Sequence, residues 1–258
     1  MKGSDTIRTP HPTSTVRGVL FDRDETIAYT DPGVYREAAQ WAAQHFGLDV
    51  HAVRQALTAQ WTAQENPAQI GGWWSLRTEA DEAVYWQRYG HELAARLGVP
   101  EGDIGVMLSE WPYQRYMKAV PEARAVLGEL RSRGLRVGVL SNTLPSIAAT
   151  LEAMNLADVV DVAMASCMLG VHKPEQEAFV QAAALMELPP GQILFIDDKL
   201  ENVVAARMAG MRAELIDLRG QQPGAIHDLR SVLDLICRAC PCSTPTSIWP
   251  GTRNWDAT

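Results

Sequence analysis

Asp22 and Asp24 stand two residues apart at the end of a short apolar run, Val16 to Phe21, in the stretch Phe21-Asp22-Arg23-Asp24-Glu25-Thr26. Two carboxylates so placed repel each other, and burial is costly for both unless positive charge is near. Three other stretches carry groups of the same kind. Leu135 to Leu140 runs into Ser141-Asn142-Thr143, Ile193 to Ile196 runs into Asp197-Asp198, and Gly170-Val171-His172-Lys173-Pro174 precedes a helix start. Two unit charges roughly 4 Å apart repel by about 4 kcal/mol at an effective dielectric of about 20, so three clustered carboxylates carry roughly 12 kcal/mol over their three pairs. One lysine cannot offset that and also bind an anion. A divalent cation can, and oxygen-only donors suit magnesium rather than zinc. Such a crevice accepts a phosphate, with Ser141 and backbone amides on its oxygens. A carboxylate can then attack phosphorus while a second carboxyl handles the proton of the leaving oxygen. Asp22 and Asp24 fit that pair.

These groups converge only if the runs before them are neighbouring strands. From Val120 onward, near-continuous apolar runs alternate with helical periods: strands at Leu135–Leu140, Val159–Met164, Ile193–Ile196 and Ala213–Ile216, with helices between them and a last helix over His227–Cys237. That alternation predicts an α/β fold with a doubly wound parallel sheet, buried on both faces, to which Val16–Phe21 also belongs. Ligands of such sheets bind outside the carboxyl ends of the strands, where all the residues above stand. Between the first strand and the rest lies a block from Asp31 to about Lys118 that reads as helical with no convincing strand. Asp31-Pro32 and Asp49 are helix starts and Gly47 a stop. Further helical stretches are expected over Ser75–Leu97 and Ile104–Lys118, and a loop over Asn66–Gly72. The block holds six of the eight tryptophans. Trp41, Trp61 and Trp86 read as helix-bundle core, while Trp73-Trp74 sits in a loop, open to packing or to lining a pocket.

Phe21-Asp22-Arg23-Asp24-Glu25-Thr26, Leu140-Ser141-Asn142, Lys173-Pro174 and Ile196-Asp197-Asp198 with Asn202 resemble the four ordered motifs of the haloacid dehalogenase superfamily. The resemblance spans the core from the first strand to about Gly210, and is nearest to the phosphatase branch with a helical cap between the first two motifs (phosphoglycolate-phosphatase-like). It implies a Rossmann-like core and a role for each matching position. Asp22 would be the nucleophile and a Mg2+ ligand. Asp24 would be the acid/base and lend the metal its backbone carbonyl. Thr26 would orient the Asp22 region, and Ser141, with Asn142 beside it, would hold the phosphoryl group. Lys173 would pair with Asp22 and the phosphate. Asp198 would complete the metal site, with Asp197 and Asn202 in support. Glycine is common in the family where Glu25 stands, and Asp where Asn202 stands, so the turn after Asp24 and the support of the acidic pair are expected to differ. The acid at Asp24 favours phosphate over halide chemistry.

The implied organisation is a tail over 1–15, a core over 16–30 and 119–237, a cap over 31–118 and a loose tail over 238–258. The expected function is a magnesium-dependent phosphatase acting on a small phosphorylated metabolite through an aspartyl-phosphate. A sugar-phosphate phosphomutase and a non-catalytic scaffold are the alternatives. The formal net charge is −8 and no apolar run reaches membrane-spanning length, which argues against nucleic-acid and membrane partners. A cytoplasmic monomer or homodimer is expected. Cys237, Cys240 and Cys242 lack the second ligand pair of a zinc site and read as bystanders on a final helix and tail. His172 reads as structural, and Arg36, Arg77 and Arg88 as solvent-facing or as ligands for a second anionic group.

Overall fold

The computed structural model describes residues 15–64 and 72–238. Five parallel strands form its sheet: β1 (Gly18–Phe21), β4 (Arg136–Ser141), β5 (Val162–Ala165), β6 (Ile193–Asp197) and β7 (Arg212–Leu215). Their order is β5-β4-β1-β6-β7, so β1 lies at the centre. Phe21 is in register with Val139 of β4 and Ile196 of β6. The chain therefore leaves β1, β4 and β6 side by side at one edge.

Strand alternation divides the core between two faces. Val19, Phe21, Val137, Val139, Leu194 and Ile196 pack on one side, with Val126, Leu127 and Leu130 of α5 (Ala123–Ser132), Leu151 of α6 (Ile147–Ala153) and Val232 of α10 (Ser231–Arg238). Leu20, Leu140, Ile193 and Phe195 pack on the other, with Phe179 and Ala182 of α8 (Gln176–Leu185) and Val203 and Ala206 of α9 (Leu200–Met208). The short helix α7 (Ser166–Leu169) follows β5 and ends at Gly170, whose φ of 76° is in the left-handed region that glycine adopts freely.

Four helices fill most of the insertion after β1: α1 (Pro32–Phe46), α2 (Val50–Gln64), α3 (Glu79–Leu97) and α4 (Glu101–Glu110). Their starts follow the expected chemistry. Asp31 accepts from the Gly33 amide at 2.7 Å, and Asp49 accepts from those of His51 and Ala52 at 3.0 Å each. Thr78 and Asp81 form a reciprocal capping box at α3. That cap moves the start of α3 from the expected Ser75 to Glu79; Trp73–Ser75 is a separate 3₁₀ turn. Ala38, Ala42, Val53, Leu93, Ile104 and Met107 make a core of their own between these helices.

The expectation of no strand in this region is corrected. Ala28–Thr30 (β2) pairs antiparallel with Met117–Ala119 (β3), Tyr29 opposite Lys118. The insertion leaves and returns at one place, so its two crossings satisfy each other's backbone groups. Three residues a side are too few to show a strand period in sequence. Side chains of α3 and of the residues just before it tie the helical insertion to the core. Glu82 of α3 accepts from the Ser146 amide and hydroxyl at 2.7 Å each, and Arg77 donates to the Cys167 carbonyl at 2.8 Å. Among the described residues, no helix is long and apolar enough to cross a membrane. The residues expected to form the tails, and most of the expected 66–72 loop, lie outside the described residues, as do Cys240 and Cys242.

Phe195 is fully buried, its ring edge-to-face with Phe179 at 5.1 Å. Phe195→Ala is expected to destabilise the protein by about 3–5 kcal/mol through lost burial and a cavity; urea unfolding of the pair measures it.

Candidate active site

At the carboxyl edge of β1, β4 and β6, Lys173 is the hub. Its Nζ donates to Asp22 Oδ1 at 2.5 Å and to Asp197 Oδ2 at 2.7 Å, with all three side chains almost fully buried. Asp22 follows β1 directly, and its amide donates to the Ile196 carbonyl at 2.8 Å, which carries the β1–β6 pairing one residue beyond the strand. Asp197 ends β6. The register thus sets the two acids side by side. Lys173 arrives on the loop between α7 and α8, and Asn142 fixes that loop. The Lys173 amide donates to Asn142 Oδ1 at 3.0 Å, and Asn142 Nδ2 donates to the Lys173 carbonyl at 2.8 Å. Asn142, expected beside a phosphate, has its amide on the lysine's main chain instead.

The acids share the strain of burial. Burial pushes the Asp22 carboxyl up to about 7; Lys173 pulls against this, and Asp197 and Asp24 add to it. Burial disfavours the Lys173 ammonium, but Asp22 and Asp197 outweigh it and hold its pKa above the usual lysine value. Burial, with Asp197 next to it, pushes Asp198 up to about 6. Asp198 Oδ1 is buried with no hydrogen-bond partner in the protein. One carboxylate oxygen each from Asp22, Asp197 and Asp198 lie within 4.8 Å of one another. Asp197 already accepts from Asn202 Nδ2 at 3.0 Å on each oxygen, from the Lys199 amide at 2.8 Å and from Lys173. An aspartate at position 202 would place a second carboxylate against Asp197; the amide supplies a donor.

Asp24 is held apart from this cluster. Its two oxygens accept from Arg23 Nε at 3.1 Å and Nη2 at 3.0 Å, and Ser141 Oγ lies 3.4 Å from Oδ2. Arg23 is only 1% exposed. The same Nη2 also lies 2.8 Å from Tyr113 OH and 2.9 Å from Thr143 Oγ1, and Nη1 donates to Thr150 Oγ1 at 3.1 Å. A planar guanidinium with five donors can serve such a set; an ammonium cannot. Sequence reasoning passed over Arg23 as an interior residue of the motif. A cation beside a strand that is buried on both faces was the available signal. Tyr113, from the insertion's return segment, had none.

Thr26 is fully buried and its hydroxyl has no hydrogen-bond partner in the protein. Glu25 takes φ of 57°, so the turn keeps the left-handed shape expected of a glycine, at some strain, and Glu25 pairs with Arg219 Nη2 at 2.7 Å. His172 links Ser166 Oγ at 2.8 Å with the Trp74 carbonyl at 3.2 Å, a structural tie between α7 and the 3₁₀ turn. Cys167 is buried, its thiol pushed up to about 12 by burial.

Arg23→Met keeps much of the side chain's volume but leaves Asp24 and three hydroxyls without their shared donor. It is expected to cost about 1–3 kcal/mol. A double-mutant cycle with Tyr113→Phe, read by urea unfolding, should be non-additive by about 0.5 kcal/mol or more because the two side chains are in contact.

A family model described as haloacid dehalogenase-like hydrolase matches residues 16–210. "Phosphatase MT3486" of Mycobacterium tuberculosis (strain CDC 1551 / Oshkosh) is 32% identical over 235 residues, covering 88% of this chain and 100% of that protein. A "Phosphoglycolate phosphatase" of Yersinia pseudotuberculosis is 27% identical, covering 76% of this chain and 78% of that one. Among solved structures, a HAD phosphatase from Thermococcus onnurineus matches the fold with a TM-score of 0.61 at 19% identity, over 86% of this chain and 98% of that one.

Proposed function

The chain belongs to the haloacid dehalogenase-like hydrolases, and from that premise we propose that it is a magnesium-dependent phosphatase of small phosphomonoesters working through an aspartyl-phosphate. The observation that carries the reading is the buried Lys173 ammonium joining Asp22 to Asp197, with Asp198 Oδ1 close by and unpartnered. Three carboxylates with one ammonium between them are short of positive charge. A hard divalent cation fits an all-oxygen donor set of this kind. Asp22 and Asp198 would hold it, with the Asp24 backbone carbonyl in the role the family resemblance assigns; Asp197, saturated by Lys173, Asn202 and the Lys199 amide, stands behind them. When bound, such an ion supplies charge that draws in the phosphoryl oxygens and offsets the charge that builds on them.

The residues divide the chemistry as follows. Asp22 attacks phosphorus, the bond from phosphorus to the ester oxygen breaks, and Asp24 gives its proton to the leaving alkoxide. Water then attacks the phospho-aspartate, Asp24 takes its proton, and phosphate and free Asp22 result. Lys173 neutralises the nucleophile's neighbourhood and offers charge to the phosphoryl group, and Ser141, 3.4 Å from Asp24 Oδ2, takes the phosphoryl-holding role that the family resemblance assigns it. Asn142 fixes Lys173 through its main chain. The Arg23 grip fixes the orientation of Asp24. The helical segment 31–118 acts as a cap over the crevice, joined to the core through the β2–β3 pair, with the core formed by 16–30 and 119–237.

Asp22→Asn is expected to reduce phosphate release to assay background while leaving the unfolding transition in place. Asp24→Asn is expected to lower kcat by about 10²–10⁴-fold, the usual range for a lost general acid–base group. A stopped-flow time course should show both half-reactions slowed. Dialysis against EDTA should abolish turnover and added Mg2+ restore it; activity that survives EDTA removes the metal from the scheme. Free phosphate as product, rather than an isomerised sugar phosphate, separates hydrolysis from phosphomutase chemistry.

A further inference from the structure

We propose that the leaving alcohol of the substrate carries a flat apolar group, best an aromatic ring, and not a second anion; this rests on the phosphatase reading above. A cleft of about 370 Å³ opens beside Asp24, Asn142 and Thr143. Asp24 serves the leaving oxygen, so this cleft receives the leaving group. Most of its lining beyond the polar residues is rings, Tyr35, Trp61, Trp73, Tyr85, Tyr113 and Tyr116, with Met117 and Leu144. Trp61 lies nearly parallel to Tyr113, centroids 5.8 Å apart and planes 18° from coincidence.

The cleft continues into the helical insertion. Tyr35, Trp61, Tyr113 and Tyr116 also border a cavity of about 450 Å³ among the helices. Among the described residues, its only charged lining group is Glu82. That carboxylate already accepts from the Ser146 amide and hydroxyl and from Trp86 Nε1. Rings that line water-accessible space next to a phosphoryl site bury apolar surface and stack against planar groups.

The cations argue the same way. Two line the cleft among the described residues, Arg23 and Lys199. Arg23 is buried and engaged by Asp24, Tyr113, Thr143 and Thr150. Lys199 is exposed, at the rim. The arginines of the insertion are elsewhere. Arg77 donates to the Trp74, Leu76 and Cys167 carbonyls, Arg36 borders a separate groove, and Arg88 stands over Tyr85 beside Glu92. A carboxylate on the leaving group would be desolvated against rings, and the one buried cation lining the cleft among the described residues, Arg23, is already engaged. Trp61 and Trp86, expected from sequence as bundle core, pack against that core and also border open space.

The test compares esters whose alcohols differ little in acidity. Values of kcat/KM are measured with Mg2+ for propyl phosphate, 3-phenylpropyl phosphate and 2-phosphoglycolate. The wild type is expected to favour 3-phenylpropyl over propyl phosphate by about tenfold or more, the scale of apolar pocket discrimination, and to use 2-phosphoglycolate no better than propyl phosphate. Trp61→Ala should shrink the phenylpropyl-to-propyl ratio, and Trp73→Leu, in the 3₁₀ turn, should do so if Trp61→Ala fails to fold. Equal use of the two alkyl esters overturns the inference. So does a preference for 2-phosphoglycolate, which Lys199→Ala would then remove. Release from all three without preference overturns the inference alone, whereas no release from any ester overturns the phosphatase reading and this inference with it.

Discussion

The buried ammonium of Lys173 is the constraint on which the rest of the site depends. Asp22 and Asp197 are side by side because β1 and β6 are in register, and both are almost fully buried. Without a cation between them their repulsion in a low-dielectric edge would work against the strand pairing that places them. Lys173 relieves that, and so its loop must be held still. Asn142, at the end of β4, does this by pairing with both main-chain groups of Lys173. Three strand ends and one loop are thereby locked to a single residue, two of the ends through its ammonium and the third through its main chain.

Asp24 has a separate cation, and the separation matters. Two carboxylates two residues apart on one turn would otherwise compete for Lys173. Arg23 takes Asp24 with a two-pronged grip and ties it to Tyr113 of the insertion and to Thr143 and Thr150 of the core. The arrangement gives the two acids different surroundings, Asp22 enclosed beside Lys173, Asp24 half-exposed at 44% and open to the cleft. In the proposed scheme that difference is what allows one acid to attack and the other to pass protons.

Much of the core was legible because it rests on local patterns. Ile193–Ile196 is apolar throughout and Leu135–Leu140 is apolar but for Arg136 at the start of its strand, as strands covered on both faces require, and the polar residues follow where the runs stop. Asp31, Pro32 and Asp49 announce helix starts with their own side chains. The short β2–β3 pair was not legible, since its pairing joins residues almost ninety positions apart and leaves no period in three-residue stretches. Arg23 was hidden by the opposite effect. It sits inside a motif whose neighbouring acids draw the attention, and its partners come from three other segments.

Residue types and their order along the chain were enough to determine an alternating α/β core, the strand ends that carry the acids and serine, the segment ahead of a helix that carries the lysine, and the family to which they point. Those properties depend on neighbours in sequence. The tertiary structure decided which acid meets which cation, that Asn142 holds Lys173, and that Trp61, Trp73, Tyr85, Tyr113 and Tyr116 wall a cleft while also packing in or against a core. A ring at helical spacing has the same signature whether it meets another ring or empty space. Only the packing of α1, α2, α3 and α4 against one another and of α1 against the return segment Tyr113–Tyr116 distinguishes the two, because that packing sets how far apart the rings stand.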